Sequence, residues 1–279
     1  MKYFKFISTL LVLTVAVSCS DTEVVKRDEQ IVENDEPIIV NQFRQRVLIE
    51  DYTGTWCGFC TRVTQGIDNV QLETDHAVIV AVHNGNDPYH FVGVEPLRAL
   101  ILPDTPLFPL PTARLNRTIV WQWPESDNVQ QVIDLTGANC GLGLAMTSTV
   151  SGGNINLDVK IKFAQDYGNL KLVVYALEDR LIYNQTNYTS TYYGGVTPIL
   201  SYEHNHVLRA ALTNILGDAL AGDTTTGSTV VKNFSISVPS NVANTANLSF
   251  VAFVVDANNK AINVRSAYAN DSQEFEENE

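Results

Sequence analysis

Basic residues are scarce in this chain of 279 residues: 18 Lys and Arg stand against 31 Asp and Glu, a net charge of −13. So acidic a surface repels phosphate backbones, and no nucleic-acid partner is expected. Long apolar runs are lacking too. Beyond the N-terminal segment, no stretch offers the roughly 18 uninterrupted apolar residues that read as a membrane-spanning helix. Cysteines number only four, and a disulfide framework is not expected in a chain long enough to bury a large core. Structural zinc takes about four ligands, and no second C-x-x-C accompanies the single one at Cys57 and Cys60. Neither a metal nor a cofactor is therefore expected. No internal repeat is found.

What is present begins with an export signal. Lys2 and Lys5 form a basic start, Phe6 to Val17 is an apolar core broken only by Ser8, Thr9 and Thr14, and Ala16-Val17-Ser18 has the small residues of a cleavage site. Cys19 follows the cut, and Ala-Val-Ser-Cys resembles a bacterial lipobox. Residues 1–18 are read as a lipoprotein signal peptide, Cys19 as the lipidated residue, and the polar run 19–42 as a flexible tether. An ordinary signal peptide cleaved nearby is the alternative. Removing residues 1–18 takes away two lysines and no acids, leaving 16 basic against 31 acidic residues, or −15. The last residues, 271–279, hold five acids and one aromatic and are expected to be a disordered tail.

The chemistry is concentrated in one stretch. Val47 to Cys60 reads Val-Leu-Ile-Glu-Asp-Tyr-Thr-Gly-Thr-Trp-Cys-Gly-Phe-Cys, an apolar strand that enters a turn and delivers Cys57 and Cys60. At a helix start, that spacing lets two sulfurs form a bond and open it again, the thioredoxin-type redox arrangement. If Cys57 opens the helix, backbone N–H groups and the helix dipole favour its thiolate. Cys60, turned inward, then acts second. A disulfide closing so short a loop is a poor staple, yet a structural bond remains the alternative. The redox reading requires sulfurs that can be reached. Gly58-Phe59 adds no cation, so a moderately reducing couple is expected. Cys140 is left over, either a resolving thiol or a small buried apolar residue.

Around the pair the elements alternate in type. Val47 to Tyr52 reads as a strand, Cys57 to about Thr74 as a helix, Ala77 to Val82 as a buried strand and Glu95 to Ile101 as a helix. After four prolines, Thr112 to Asn116 reads as a strand and Asp127 to Leu135 as a helix capped by Ser126 or Asp127. This order predicts an α/β thioredoxin-like domain over 43–137. From Gly141 the period changes to two. Ile155, Leu157, Val159, Ile161 and Phe163 alternate with polar residues, and strands are expected over Leu170 to Leu177, Val230 to Val238, Leu248 to Val255 and Ala261 to Arg265. An all-β immunoglobulin-like sandwich is thus predicted over 138–270. Ser190 to Gly227 reads as an irregular excursion, with a helix over His206 to Leu216.

Asp51 precedes Cys57 by six residues. Buried beneath the pair, it would have a raised pKa and could move protons to and from Cys60. Glu50 alternates with it, so only one of the two is expected to point inward. Pro111 precedes a strand late in the unit. If cis, it would present the backbone of Leu110 beside the cysteines, where a client strand can pair. His83 ends a buried strand and reads as a satisfied polar terminus. His204-Asn205-His206 has alternate-residue spacing but lacks a ligand set beyond Glu203. Tyr183, Tyr188, Tyr192 and Tyr193, interleaved with Asn184, Asn187 and Thr189, form a polar-aromatic loop able to bind protein or glycan.

The fourteen residues of Val47 to Cys60, together with Leu110-Pro111-Thr112-Ala113-Arg114-Leu115-Asn116-Arg117 and Tyr175-Ala176-Leu177-Glu178-Asp179, resemble the Bacteroidetes family of twenty-eight-kilodalton outer-membrane lipoproteins. Within the wider thioredoxin superfamily, Trp56-Cys57-Gly58-x-Cys60 matches the active-site motif, with Phe59 in place of the usual proline. Asp51 falls on the buried carboxylate position and Pro111 on the cis-proline position. The resemblance implies an envelope lipoprotein held at the outer membrane by its N-terminal lipid, with a thioredoxin-like domain and a β-sandwich. Trp56, Gly58, Phe59, Leu110 and Pro111 are the residues that would face a substrate. Two functions follow from different classes. One is a thiol–disulfide oxidoreductase acting on the thiols and disulfides of exported proteins. The other is an adhesin-like binder of protein or glycan whose cysteine pair is only structural.

Overall fold

A computed structural model describes residues 39–105 and 109–278. The expected signal peptide, Cys19 and most of the tether lie outside the described residues.

The first half contains β1 (Phe43–Gln45), β2 (Val47–Thr53), α1 (Thr61–Glu73), β3 (Ala77–His83), α2 (Glu95–Ile101), β4 (Thr112–Leu115), β5 (Ile119–Val120) and α3 (Val129–Ile133). Strands then dominate: β6 (Gly137–Cys140), β7 (Leu142–Ser151), β8 (Asn154–Phe163), β9 (Lys171–Glu178), β10 (Leu181–Gln185), β11 (Ile199–His204), β12 (Val207–Ala211), β13 (Asp218–Ala219), β14 (Thr229–Ser237), β15 (Leu248–Val255) and β16 (Ala261–Tyr268). The β-rich pattern and most of the long strands follow the sequence reading. Where β12 stands, a helix was expected over 206–216. The sheet overrides it, because Val207 and Leu208 fill the gap between β3 and β9.

That gap filling decides the architecture. One sheet runs β16-β15-β9-β12-β3-β2-β4-β5, with β13 added beside β9. β2 and β3 pair in parallel from Val47↔Ala77 to Thr53↔His83, β4 lies antiparallel to β2, and β12 joins β3 through Val207↔Ala81. The sheet therefore passes without a break from the first half of the chain into the second. A smaller sheet, β14-β8-β7, packs on it in a sandwich-like arrangement. Leu144, Met146, Leu157, Val159 and Ile161 meet Val174, Ala176, Phe250 and Ala252 in that core.

The large sheet is covered on both faces. Val47 and Ile49 pack with Val63, Ile67 and Val70 of α1 and Val132 of α3, while Leu48 and Tyr52 pack with Leu97 of α2, Tyr175 and Phe253. This corrects the expectation that only one of Glu50 and Asp51 points inward: alternate residues face opposite sides, and both are buried. Glu50 accepts from Tyr52 (3.2 Å) and from Arg117 (3.2 Å). Arg117 also donates to the Tyr175 hydroxyl at 2.6 Å and lies 4.7 Å over the Phe253 ring.

The acidic tail is a second correction. The Arg46 guanidinium donates to both carboxylate oxygens of Glu276, Arg265 lies 3.3 Å from it, and Lys162 contacts Glu277 at 2.8 Å. Phe275 packs on Phe43, and the Gln273 N–H donates to the Met146 carbonyl at 2.8 Å. Basic residues distant in sequence neutralise the charges that made the segment look disordered.

Truncating Arg117 leaves Glu50 buried without its counter-charge. Arg117→Met is expected to lower unfolding free energy by about 3–5 kcal/mol, and adding Glu50→Gln to recover part of it. Chemical denaturation of the three proteins measures both effects.

Candidate functional site

Cys57 and Cys60 form a disulfide, with Cα atoms 5.4 Å apart. The regular helix begins later than expected: Cys60 is the residue before α1, and Cys57 lies in the preceding turn, where its carbonyl accepts from the Cys60 N–H at 3.2 Å. Both cysteines are also more buried than the sequence reading expected. Cys57 is 4% exposed and Cys60 1%.

Neighbouring segments hold the turn in place. Trp56, 47% exposed, donates from its indole nitrogen to the Asn84 carbonyl at 2.8 Å. Its ring lies against Gly85, whose φ of +81° and lack of a side chain permit the contact. Asp87 accepts from the Thr55 N–H at 2.5 Å and the Tyr89 N–H at 2.7 Å, and faces His83 Nδ1 at 3.1 Å. Burial opposes ionisation of Asp87, but the His83 hydrogen bond and charge, with those two N–H groups, hold its pKa below the usual range. The Leu110–Pro111 bond is cis. Because Tyr52 pairs with Thr112, Pro111 stands beside the end of β2, where the cysteine turn begins.

From the other side comes a segment that follows β10. The Thr186 N–H donates to the Thr55 carbonyl at 2.8 Å and the Tyr188 N–H to the Gly58 carbonyl at 2.7 Å. The Gln185 amide donates to the Cys57 carbonyl at 3.0 Å. The Tyr188 ring covers Gly58 so closely that a Cβ there would lie 2.1 Å from it, and meets Phe59 edge-on at 5.7 Å. The tyrosine-rich loop noted in the sequence is this segment.

Asp51 is buried on the α1 side, with Oδ1 unpartnered. Burial pushes its pKa up to about 8; the charge of Glu125 adds to this and Arg62 opposes it. It lines a polar cavity of about 100 Å³ with Thr64, Asp68, His83, Tyr202 and His204, room for several waters. His204, also buried with an unpartnered ring nitrogen, is driven down to about 4 by burial and the charge of His83, against the pull of Asp87. The carboxyl is thus neutral at neutral pH, and the imidazole beside it is a free base. Cys140 lies apart as a buried free thiol, raised to about 11 by burial.

The structure places Trp56, Cys57, Gly58, Phe59 and Cys60 in one turn, with Asp51 buried in the strand that leads into it and the cis Leu110–Pro111 bond beside the end of that strand. Asp87, Gln185 and Tyr188 contact the turn or its flanks, and Tyr202 and His204 line the cavity with Asp51. Of these additional residues only Tyr188 and His204 carried a sequence signal, and nothing in their spacing pointed to the cysteines.

Residues 107–273 match the family model of outer membrane protein Omp28, and the chain belongs to that family. It is an outer membrane protein. HBP35 of Porphyromonas gingivalis shares the fold, with a TM-score of 0.60 at 17% identity over 84% of this chain and 78% of that one. A domain of the outer membrane lipoprotein Omp28 from the same organism aligns over 47% of this chain and 96% of its own, at 20% identity and a TM-score of 0.31. No curated protein matches the sequence.

Unfolded, Asp51 ionises above about pH 4; folded, it keeps its proton to about pH 8. The native state binds the extra proton across that window, so stability falls as pH rises through it. Asp51→Asn is expected to stabilise the protein at pH 8.5 by on the order of 2–5 kcal/mol and to change little near pH 4. Denaturant unfolding at the two pH values is the check.

Proposed function

We propose that the protein is a thiol–disulfide oxidoreductase of the outer membrane, acting on exported proteins and anchored by a lipid on Cys19. The observation that carries this reading is a buried carboxyl, Asp51, that has an unpartnered Oδ1, is pushed toward its protonated form and lines a cavity alongside α1, the helix that the Cys57–Cys60 bond immediately precedes. A bond serving only as a staple has no use for a proton store. The parallel β2–β3 pair with α1 between them, and the fold shared with HBP35, support reading residues 43–137 as thioredoxin-like and 138–270 as the sandwich built onto it.

In the reduced protein, Cys57 thiolate attacks a client disulfide, and the first client sulfur leaves as a thiolate that takes the proton Asp51 gives up. Asp51, now ionised, accepts the Cys60 proton. Cys60 then attacks Cys57 Sγ, expelling the second client thiolate and closing the Cys57–Cys60 bond. Two electrons pass to the client, and a dithiol donor of the envelope must restore them. Trp56, Phe59 and the backbone at Leu110–Pro111 are the surfaces a client would meet. Burial of both sulfurs favours a second reading, in which the bond is structural and the aromatic loop binds protein or glycan.

Reduction of insulin by dithiothreitol with catalytic amounts of the mature chain separates the two. The oxidoreductase is expected to accelerate it, and Cys57→Ser to abolish the acceleration. Equal rates with and without the Ser substitution would leave the binder.

A further inference from the structure

The segment between β10 and β11 makes two backbone bonds to the cysteine turn, Thr186 N–H to Thr55 O and Tyr188 N–H to Gly58 O. Residues two apart on the segment thus present both N–H groups along one edge, as an extended chain does, to carbonyls three apart on a turn and not to a regular strand. Side chains fasten it further along. Asn187, fully buried, accepts from the Thr61 hydroxyl at 3.0 Å at the start of α1 and donates to the Tyr192 carbonyl at 3.0 Å. The Tyr193 hydroxyl donates to Asp68 at 2.7 Å, and Tyr192 meets the Ser126 hydroxyl at 2.9 Å. Tyr188 itself is 65% exposed while its ring lies flat on Gly58. Asn187 anchors the middle of the segment in the protein, while Tyr188 beside it adds one N–H bond and one exposed ring to the turn.

We propose that residues 186–189 occupy the site where an extended client peptide pairs with the cysteine turn, so that the chain carries an intramolecular competitor for its own client. The occupant it stands in for is a peptide with two N–H groups for Thr55 O and Gly58 O and an aromatic side chain on Gly58. This rests on the oxidoreductase reading. It reconciles sulfurs that are buried with a reaction that needs them attacked: an incoming client or reductant must first lift the strap.

Tyr188→Ala removes the ring and keeps the backbone; Tyr193→Phe removes only the hydroxyl that fastens the segment to Asp68 and Tyr202. Rates of Cys57–Cys60 reduction by excess dithiothreitol are measured in the oxidised mature chain, with thermal unfolding to show that each variant is folded. In that reaction one reagent thiolate attacks Cys57 Sγ and releases Cys60 thiolate. The second reagent thiol then releases Cys57 and leaves as the cyclic disulfide. Reduction is expected to quicken roughly tenfold in Tyr188→Ala and severalfold in Tyr193→Phe, as loss of one modest contact would allow. Thr186 and Tyr188 amides should exchange hydrogen faster in step. A free peptide with the sequence of residues 184–190 should slow insulin reduction by Tyr188→Ala, and the same peptide with alanine for its tyrosine should not. Equal reduction rates in wild type and both folded variants, or equal effects of the two peptides, would overturn the proposal. Faster opening in the variants, with no insulin reduction by any of them, would keep the strap as a cover and refute the oxidoreductase instead.

Discussion

Everything distinctive about this molecule depends on β12 lying between β3 and β9. Val207 pairs with Ala81 on one side and Glu178 on the other, and the Ala81 N–H donates to the His206 carbonyl at 2.8 Å. That seam turns what would be two modules joined by a linker into one sheet. It also sets the hairpin of β10 and β11 beside α1, because β10 follows directly from β9 and β11 leads directly into β12. From there the hairpin supplies Gln185 and Tyr188 to the cysteine turn and Tyr202 and His204 to the cavity.

The cysteines are buried, and a cavity of about 100 Å³ opens beside Asp51 and His204. Desolvation keeps Asp51 protonated and His204 neutral, and the cavity between α1 and β11 offers them a polar route. Glu50, one residue from Asp51, takes the other fate open to a buried carboxylate. It faces the opposite side of the sheet, where Arg117 neutralises it. Two neighbouring acids thus meet different surroundings, one ion-paired and one not, because the strand alternates between two covered faces.

Local pattern was enough for much of this. The alternation from Ile155 to Phe163 fixes β8 at Asn154–Phe163, and Glu95 to Ile101 is recovered as α2 at the same bounds. The cysteine pairing, the burial of Asp51 and the cis bond at Pro111 were legible because each depends on neighbours close in the chain or in the sheet. What escaped depends on partners far away. Leu208 has helical neighbours in sequence but two strands in space, and Glu276 looks like a solvated tail residue until Arg46 and Arg265 are beside it. The strap over Gly58 comes from about 130 residues downstream, as the Gln185–Cys57 hydrogen bond shows. No periodicity reports such a pairing.

The central claim is that the Cys57–Cys60 bond opens and closes reversibly within the folded protein. Equilibration of the mature chain in buffers of graded dithiothreitol ratio, reading thiol content by alkylation and tertiary structure by near-ultraviolet circular dichroism, tests it directly. The account predicts one two-electron transition at constant tertiary signal. A bond that stays closed until the tertiary signal is lost would contradict it.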